Sequence, residues 1–386
     1  MKVLQVVPSL ALRHGGVSVS VRELCSGLAG LGTEVQVWST PRGYDARVDA
    51  REDERLKAAG VEVRYFPVSS WPWLGQRYAY SAPLGRALRE EGRRFDLVHI
   101  HSLWLYPTLA AASFCRRVQI PYILSPCGAL DPYSLRIRRP LKQLYGRWIE
   151  RRTLRGASVI QFTSALEQRR AWSFGLNWRS VVIPCSVALE AIPDKPAARR
   201  PEWGSRKILL FLGRLHPKKR LDLVAEAFVA LCRRRNDVHL VVAGPDEGSA
   251  PMARRILEEG GVLDRVTFTG FVDANQRWAL LKSALIFLFP SEDENFGITA
   301  LEAIALGVPV LLSDQVGLSE EVARANAGVI LDLNPAAWAA AAETLLDQPD
   351  RAKAMGQAGR RLAEAKFSTQ RVVSRMKELY ESILSP

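Results

Sequence analysis

Glu294 and Glu302, with seven residues between them, flank the stretch Phe296-Gly297-Ile298-Thr299. An apolar run of strand length, Ala284 to Pro290, precedes them, and an apolar stripe at Leu301, Ala303, Ile304 and Leu306 follows with helical spacing. The order is strand, polar loop, helix, with Glu294 on the loop and Glu302 one to two turns into the helix. Backbone N–H groups around Gly297, Ile298 and Thr299 open that helix, and a helix start attracts phosphate through those donors and its dipole. Carboxylates on either side of such a start suit a nucleotide sugar, one accepting from sugar hydroxyls and the other from the ribose diol. On spacing alone, the stretch also fits a solvated acidic loop with Glu302 exposed on an amphipathic helix.

A second constellation lies earlier in the chain. Gly213-Arg214-Leu215-His216-Pro217-Lys218-Lys219-Arg220 follows the apolar run Ile208 to Leu212 and precedes a helical pattern at Leu223, Val224, Ala227, Phe228 and Leu231. Arg214, as a planar fork, and Lys219, as a mobile point charge, can reach the same phosphate groups. Alone, this run also fits a basic surface loop.

Together, in this order and about eighty residues apart, the two motifs resemble the retaining GT-B glycosyltransferases of family 4. The likeness extends to the Gly15-Gly16 loop after the first strand, to Asp96-Leu97-Val98-His99-Ile100-His101, and to Leu306-Gly307-Val308-Pro309-Val310. It covers essentially the whole chain. One departure is Arg220, where many members of that family carry glycine after the lysine. The resemblance implies an α/β GT-B fold, retention of anomeric configuration, and a final helix that crosses back to the first domain. It implies donor-binding roles for Gly16, Arg214, Lys219, Glu294, Phe296, Gly297, Ile298, Thr299 and Glu302. It also implies catalytic roles for Glu294, His101, Arg214 and Lys219, with His101 at the position that contacts the transferred sugar.

The elements that must position these residues read as two α/β halves. In the first half, Val3 to Val7, Glu34 to Trp38, Val61 to Phe66, Asp96 to Ile100, Tyr122 to Leu124, Ser158 to Phe162 and Val181 to Ile183 read as strands separated by helical stretches. Such alternation predicts parallel sheets covered on both faces. A break with Pro193, Pro196 and Pro201 has the composition of a linker. Alternation resumes with Ile208 to Leu212, Val238 to Ala243, Val266 to Thr269, Leu285 to Phe289, Val308 to Leu312 and Val329 to Leu331. The expected layout is a Rossmann-like acceptor domain over 1–190, a linker over 191–205, a Rossmann-like nucleotide-sugar domain over 206–368 and a crossover helix over 369–386. A ligand cleft is expected at the carboxyl ends of both sets of strands.

Composition bounds the function. With 386 residues, 48% hydrophobic and 24% charged, the chain has the profile of a globular protein. No apolar run approaches the ~20 residues of a membrane span, and the opening Met1 to Pro8 is too short in its apolar part for a signal peptide, so a cytoplasmic chain is expected. Cys25, Cys115, Cys127, Cys185 and Cys232 are scattered and odd in number, without the spacing of a zinc site or disulfide framework.

Charge is concentrated in the first half, where residues 1–200 carry a net +14 against −1 for the rest. Between Leu130 and Arg155, Arg136, Arg138, Arg139, Lys142, Arg147, Arg151, Arg152 and Arg155 face only Asp131 and Glu150, with Ile137, Leu141, Leu144, Tyr145, Trp148 and Ile149 forming an apolar stripe. This is the pattern of a helix on an anionic membrane surface, and equally of a domain helix with its arginines in water. No nucleic-acid-binding signature accompanies the charge, so nucleic acid is not an expected partner. Nor does any Asp-x-Asp occur. Arg214, Lys219 and the helix start near Gly297 are therefore expected to neutralise the leaving diphosphate without a metal cofactor. The expected partners are a nucleotide-sugar donor, with a UDP- or GDP-linked hexose, and a saccharide or lipid-linked acceptor. The alternatives are a soluble transferase acting on a small phosphorylated acceptor and a non-catalytic nucleotide-sugar-binding scaffold.

Overall fold

The computed structural model describes residues 1–136, 145–174, 178–192 and 203–385. Ile137, Arg138, Arg139, Leu141, Lys142 and Leu144 of the basic segment, and the linker prolines Pro193, Pro196 and Pro201, lie outside the described residues. By internal contacts the chain divides into two units, Met1–Ser186 with Thr369–Pro386, and Val187–Ser368.

The first unit is built on seven parallel strands: β1 (Lys2–Val6), β2 (Glu34–Ser39), β3 (Glu62–Tyr65), β4 (Leu97–His101), β5 (Tyr122–Ser125), β6 (Val159–Phe162) and β7 (Ser180–Val182), ordered β3-β2-β1-β4-β5-β6-β7. Successive residues of a strand point to opposite faces, and here both faces are apolar. Leu4, Val6, Val98, Ile100, Leu124 and Ile160 share one buried cluster with Leu84, Leu88, Ala111 and Cys115. Val3, Val35, Val37, Leu97, Ile123 and Val159 share the other with Val21, Cys25 and Leu28 of the helix Gly16–Gly30. That second layer is completed by Val372, Val373, Met376 and Tyr380 of the last helix, Thr369–Leu384.

The second unit repeats the plan with six parallel strands, β8 (Lys207–Leu212), β9 (Val238–Ala243), β10 (Val266–Gly270), β11 (Ile286–Phe289), β12 (Val310–Ser313) and β13 (Gly328–Leu331), ordered β10-β9-β8-β11-β12-β13. Leu209, Phe211, Val238, Leu240, Val242, Ile286, Leu288 and Leu311 pack against the helices Leu221–Cys232 and Pro335–Asp347. Boundaries differ from those read in the sequence by a residue or two, as at Val308 to Leu312, where pairing with β13 begins only at Val310.

Both sheets reverse strand order once, between β1 and β4 and between β8 and β11. In open α/β sheets ligands bind beyond the carboxyl ends of the strands at this reversal. The chain leaves β1 toward Gly16 and ends β4 at His101; it leaves β8 into Gly213–Arg220 and β11 into Ser291–Gly297. The Gly15-Gly16 loop, His101 and the two motifs of the second half therefore border one of the two switch points, whereas Leu306–Val310 leads into the amino end of β12.

Candidate active site

In the second unit, β8 and β11 are hydrogen-bonded neighbours, with Leu209 opposite Ile286 and Leu210 opposite Phe287, so the loops that follow them leave the sheet side by side. Backbone bonds fasten those loops together. The Lys218 carbonyl accepts from the Glu292 N–H at 2.9 Å and from Ser291 Oγ at 3.2 Å. Pro217–Lys219 forms one 3₁₀ turn, capped by His216 Nδ1 accepting from the Lys218 N–H at 3.2 Å. Arg220 ends this turn at φ 54°, ψ 48°, the left-handed conformation that favours glycine. The chain thus keeps the turn with an arginine in it, and the Arg220 guanidinium is held by Asp222 through contacts of 3.0, 3.0 and 2.9 Å.

The turn places Lys219, only 8% exposed, against Glu294. Its Nζ donates to Glu294 Oε2 and lies 4.5 Å from the centroid of the Phe289 ring. Burial pulls the Lys219 ammonium below its ordinary pKa, with the Glu294 carboxylate opposing. For Glu294, burial pushes upward, but the charges of Lys219 and Lys218 outweigh it and hold the carboxyl below its ordinary value. The Glu294 loop is fixed from its other side, where the Glu294 N–H donates to the Gln315 carbonyl at 3.2 Å and the Glu294 carbonyl accepts from Gly317 at 2.9 Å.

Arg214 meets a carboxylate that its sequence neighbours do not reveal. Its Nη1 contacts Glu247 Oε1 at 3.0 Å and Oε2 at 2.8 Å. The two loops can approach so closely because Gly244 lacks a side chain: a Cβ there, at φ 136°, would stand 1.9 Å from the Gly213 carbonyl oxygen. Asp246 stiffens the second loop by accepting from the N–H groups of Gly248, Ser249 and Ala250, each at 3.0 Å.

The helix Ile298–Ala305 begins directly after Gly297, which sits at φ 104° and has no side-chain cap. A Cβ at Gly297 would meet Val316 Cγ1 at 2.9 Å, so both backbone angle and space call for glycine. The N–H groups of Ile298 and Thr299 lie in the first turn, where no preceding helical carbonyl can take them. Phe296 turns inward: its ring packs edge-on against Phe367 at 5.8 Å, and its carbonyl accepts from Leu318 at 3.0 Å. Its side chain shapes the loop from beneath.

Glu302 is buried, at 3% exposure, rather than lying on a solvated helix face. Its Oε1 is 3.3 Å from Arg277 Nη2, while Oε2 is buried without a hydrogen-bond partner. Burial raises its pKa above the ordinary carboxyl value, and the Arg277 charge works against that rise.

In the first unit, Gly16 opens its helix behind Gly15, at φ 82°. His101, at the end of β4, is 4% exposed and shares a hydrogen bond of 2.8 Å between its Nε2 and Gln5 Oε1. Gln5 Nε2 donates to the Tyr380 hydroxyl at 3.1 Å, and that hydroxyl is 2.7 Å from His99 Nδ1. His99 Nε2 in turn is 2.7 Å from Ser125 Oγ, which donates to Gln161 Oε1. One assignment satisfies every group: both imidazoles carry their proton on Nε2, and Tyr380 donates to His99. Burial pushes the His101 pKa down to about 3, so the ring is neutral and its Nδ1 is an acceptor.

Four of these residues escaped the sequence reading: Glu247, Arg277, Gln5 and Tyr380. Gln5 left a trace, as a lone polar residue within an apolar strand. The other three belong to unremarkable helical or loop patterns and become visible only through their partners. Among the described residues, no group of three or more His, Cys, Asp or Glu side chains is arranged to hold a metal ion. All five cysteines are free thiols.

Comparison with known proteins agrees with this architecture. The family of glycosyl transferases group 1 matches residues 196–362, and the glycosyl transferase 4-like domain matches residues 15–186. The chain is 33% identical over 375 residues to the D-inositol 3-phosphate glycosyltransferase of Segniliparus rotundus, covering 89% of this chain and 80% of that protein. It is 28% identical over 384 residues to the GDP-mannose-dependent alpha-(1-6)-phosphatidylinositol dimannoside mannosyltransferase of Mycobacterium tuberculosis, covering 97% and 95%. Among solved structures, the Anabaena HepE protein in complex with UDP and glucose superposes with a TM-score of 0.78 at 17% identity, covering 99% of this chain and 100% of that one. WaaG, a glycosyltransferase involved in lipopolysaccharide biosynthesis, superposes at 0.70 and 19% identity over 100% of both chains. With both halves matched in order, the chain belongs to the group 1 glycosyl transferases and is a glycosyltransferase of the GT-B class.

Proposed function

We propose that this protein is a metal-independent, retaining glycosyltransferase that moves a hexose from a UDP- or GDP-sugar to a lipid-linked or polysaccharide acceptor at the cytoplasmic face of a membrane. The observation that carries the donor reading is the buried contact between Lys219 and Glu294, which joins the two motifs at one switch point. Lys219, Arg214 and the N–H groups of the helix Ile298–Ala305 supply positive charge for the leaving diphosphate, in place of a metal. Glu294 accepts from hydroxyls of the transferred sugar. Glu302 holds the ribose, Gly16 is assigned to the donor phosphates or the acceptor, and His101, as a neutral ring, to the transferred sugar.

The membrane assignment draws support from the described part of the basic segment, where Trp148 is 70% exposed and Arg151, Arg152 and Arg155 follow within seven residues. No helix among the described residues is long and apolar enough to cross a membrane. A small phosphorylated acceptor is the competing reading, favoured by the likeness to the Segniliparus D-inositol 3-phosphate glycosyltransferase. Sedimentation with anionic vesicles separates the two: a surface enzyme pellets with them and is released by salt, whereas a soluble enzyme stays in the supernatant in both conditions. Proton NMR of the product from an α-linked donor tests the chemistry. An α product is expected, and a β product refutes retention.

A further inference from the structure

Glu302, which is buried, and Arg277, whose side chain is about a quarter exposed, form a pair that is incomplete from both sides. Glu302 Oε2 and Arg277 Nε are each buried without a hydrogen-bond partner, although the other carboxylate oxygen and Nη2 are 3.3 Å apart. A pair built only to hold the fold would satisfy its remaining polar atoms, because a desolvated, unpaired group is costly. The geometry of the helix that carries Arg277 is fixed independently. Ala274–Ser283 starts with a reciprocal cap, in which Gln276 N–H donates to Asp273 Oδ1 at 2.8 Å and Asp273 N–H donates to Gln276 Oε1 at 3.1 Å. Arg277 follows in the first turn, its N–H donating to the Asp273 carbonyl at 2.9 Å, while its neighbour Trp278 is buried.

We propose that Arg277 is a positioning residue for donor binding: its guanidinium fixes the orientation and the negative charge of Glu302, leaving the second carboxylate oxygen to accept from the ribose diol of the nucleotide. This rests on the assignment of Glu302 to the ribose. The helix Ile298–Ala305 packs against Pro349–Leu362, the segment Ala363–Phe367, β11 and β12. Among the described residues on all of these elements, none contributes a charge that acts on Glu302; Arg277 does so from the helix Ala274–Ser283. Burial favours the protonated carboxyl, in which one oxygen carries a proton and the group offers fewer acceptor sites than a carboxylate does. Arg277 opposes that protonation.

The test is calorimetric titration of UDP-glucose, GDP-mannose and ADP-glucose into the full chain and into Arg277→Met, Arg277→Lys and Glu302→Gln, from about pH 6 to about pH 9, a range in which the diphosphate diesters do not change charge. The expected result is a loss of about tenfold or more in Arg277→Met at the low end of this range that shrinks toward its high end, where the carboxylate is increasingly favoured. Arg277→Lys stays close to the wild type, and Glu302→Gln shows a loss that does not depend on pH. The 2′,3′-dideoxy forms of the bound nucleotide should erase the difference between wild type and Arg277→Met. Unchanged affinity in Arg277→Met, or a loss equal at every pH and equal for the dideoxy nucleotide, overturns the inference while leaving the donor reading intact. Failure of all three nucleotides to bind the wild type overturns the donor reading and the inference with it. If circular dichroism shows Arg277→Met to be unfolded, Arg277→Gln carries the same pH comparison.

Discussion

Replacing Lys219 by Met separates what the Lys219–Glu294 pair does for the fold from what it does for turnover. Both side chains are largely buried, at 10% and 15% exposure, so the pair is poorly screened by solvent. Lys219→Met strands the Glu294 carboxylate, with Lys218 and Arg214 the remaining cations acting on it. Breaking a buried pair from one side costs about 3 kcal/mol or more. For a unit of this size each kcal/mol lowers Tm by roughly 2 to 4 °C, so a drop on the order of 10 °C is expected. The protein stays folded at assay temperature, and kcat falls by about a hundredfold, the usual consequence of removing a cation that stabilises transition-state charge. The double variant Lys219→Met with Glu294→Gln removes both charges and should recover most of the Tm with none of the activity. Differential scanning calorimetry and steady-state kinetics on the three proteins provide the readings. A Tm within about a degree of wild type together with kcat within about threefold would show that the pair neither stabilises the unit nor serves the reaction.

Other expectations follow from the same geometry. Glu247→Gln frees Arg214 from an internal carboxylate and should tighten nucleotide-diphosphate binding by a few-fold, about 1 kcal/mol, whereas Arg214→Ala should lower kcat by about a hundredfold; calorimetry and kinetics check each. Turnover should persist in excess EDTA, and complete loss restored by magnesium or manganese would contradict the assignment of the diphosphate to cationic side chains. Glu302→Gln should weaken free-nucleotide binding by about 1 to 3 kcal/mol, while Glu294→Gln should leave that binding nearly intact and lower turnover. Because the folded-state pKa of Glu302 is raised above its unfolded value, its contribution to stability is fully present below the unfolded pKa and is lost as pH rises through the folded one. Glu302→Gln should therefore flatten the decline of Tm with rising pH, measured by calorimetry over about pH 4 to 8.

The strands were legible because parallel strands covered on both faces read as nearly unbroken apolar runs, and each run in the sequence became a strand. Motif placement was legible too, since glycine and polar residues directly after such runs mark the strand ends where ligands bind. The partners were not. Glu247 lies 33 residues beyond Arg214, and the two meet only because β8 and β9 pair in register and Gly244 lets the loops touch. Arg277 gave no signal, because its cap at Asp273 predicts a helix but not which way the fourth residue of that helix points. Helical periodicity left Glu302 open between solvent and core, and the decision came from tertiary packing: the helix is buried continuously from Ala300 to Ala305, so even its polar position is enclosed. Tyr380 gave no signal of its own, because its ring lies on the buried face of the last helix, whereas its hydroxyl anchors a chain of polar groups that ends at His101.

The most direct test of the central claim, that this site breaks the bond between a hexose and a nucleoside diphosphate, is a panel of nucleotide sugars incubated with the wild type and with Lys219→Met, with mass detection of the released nucleotide. Slow hydrolysis of a UDP- or GDP-hexose by the wild type, reduced about a hundredfold in the variant, is the predicted result. Absence of turnover for every donor, or equal turnover by both proteins, would contradict it.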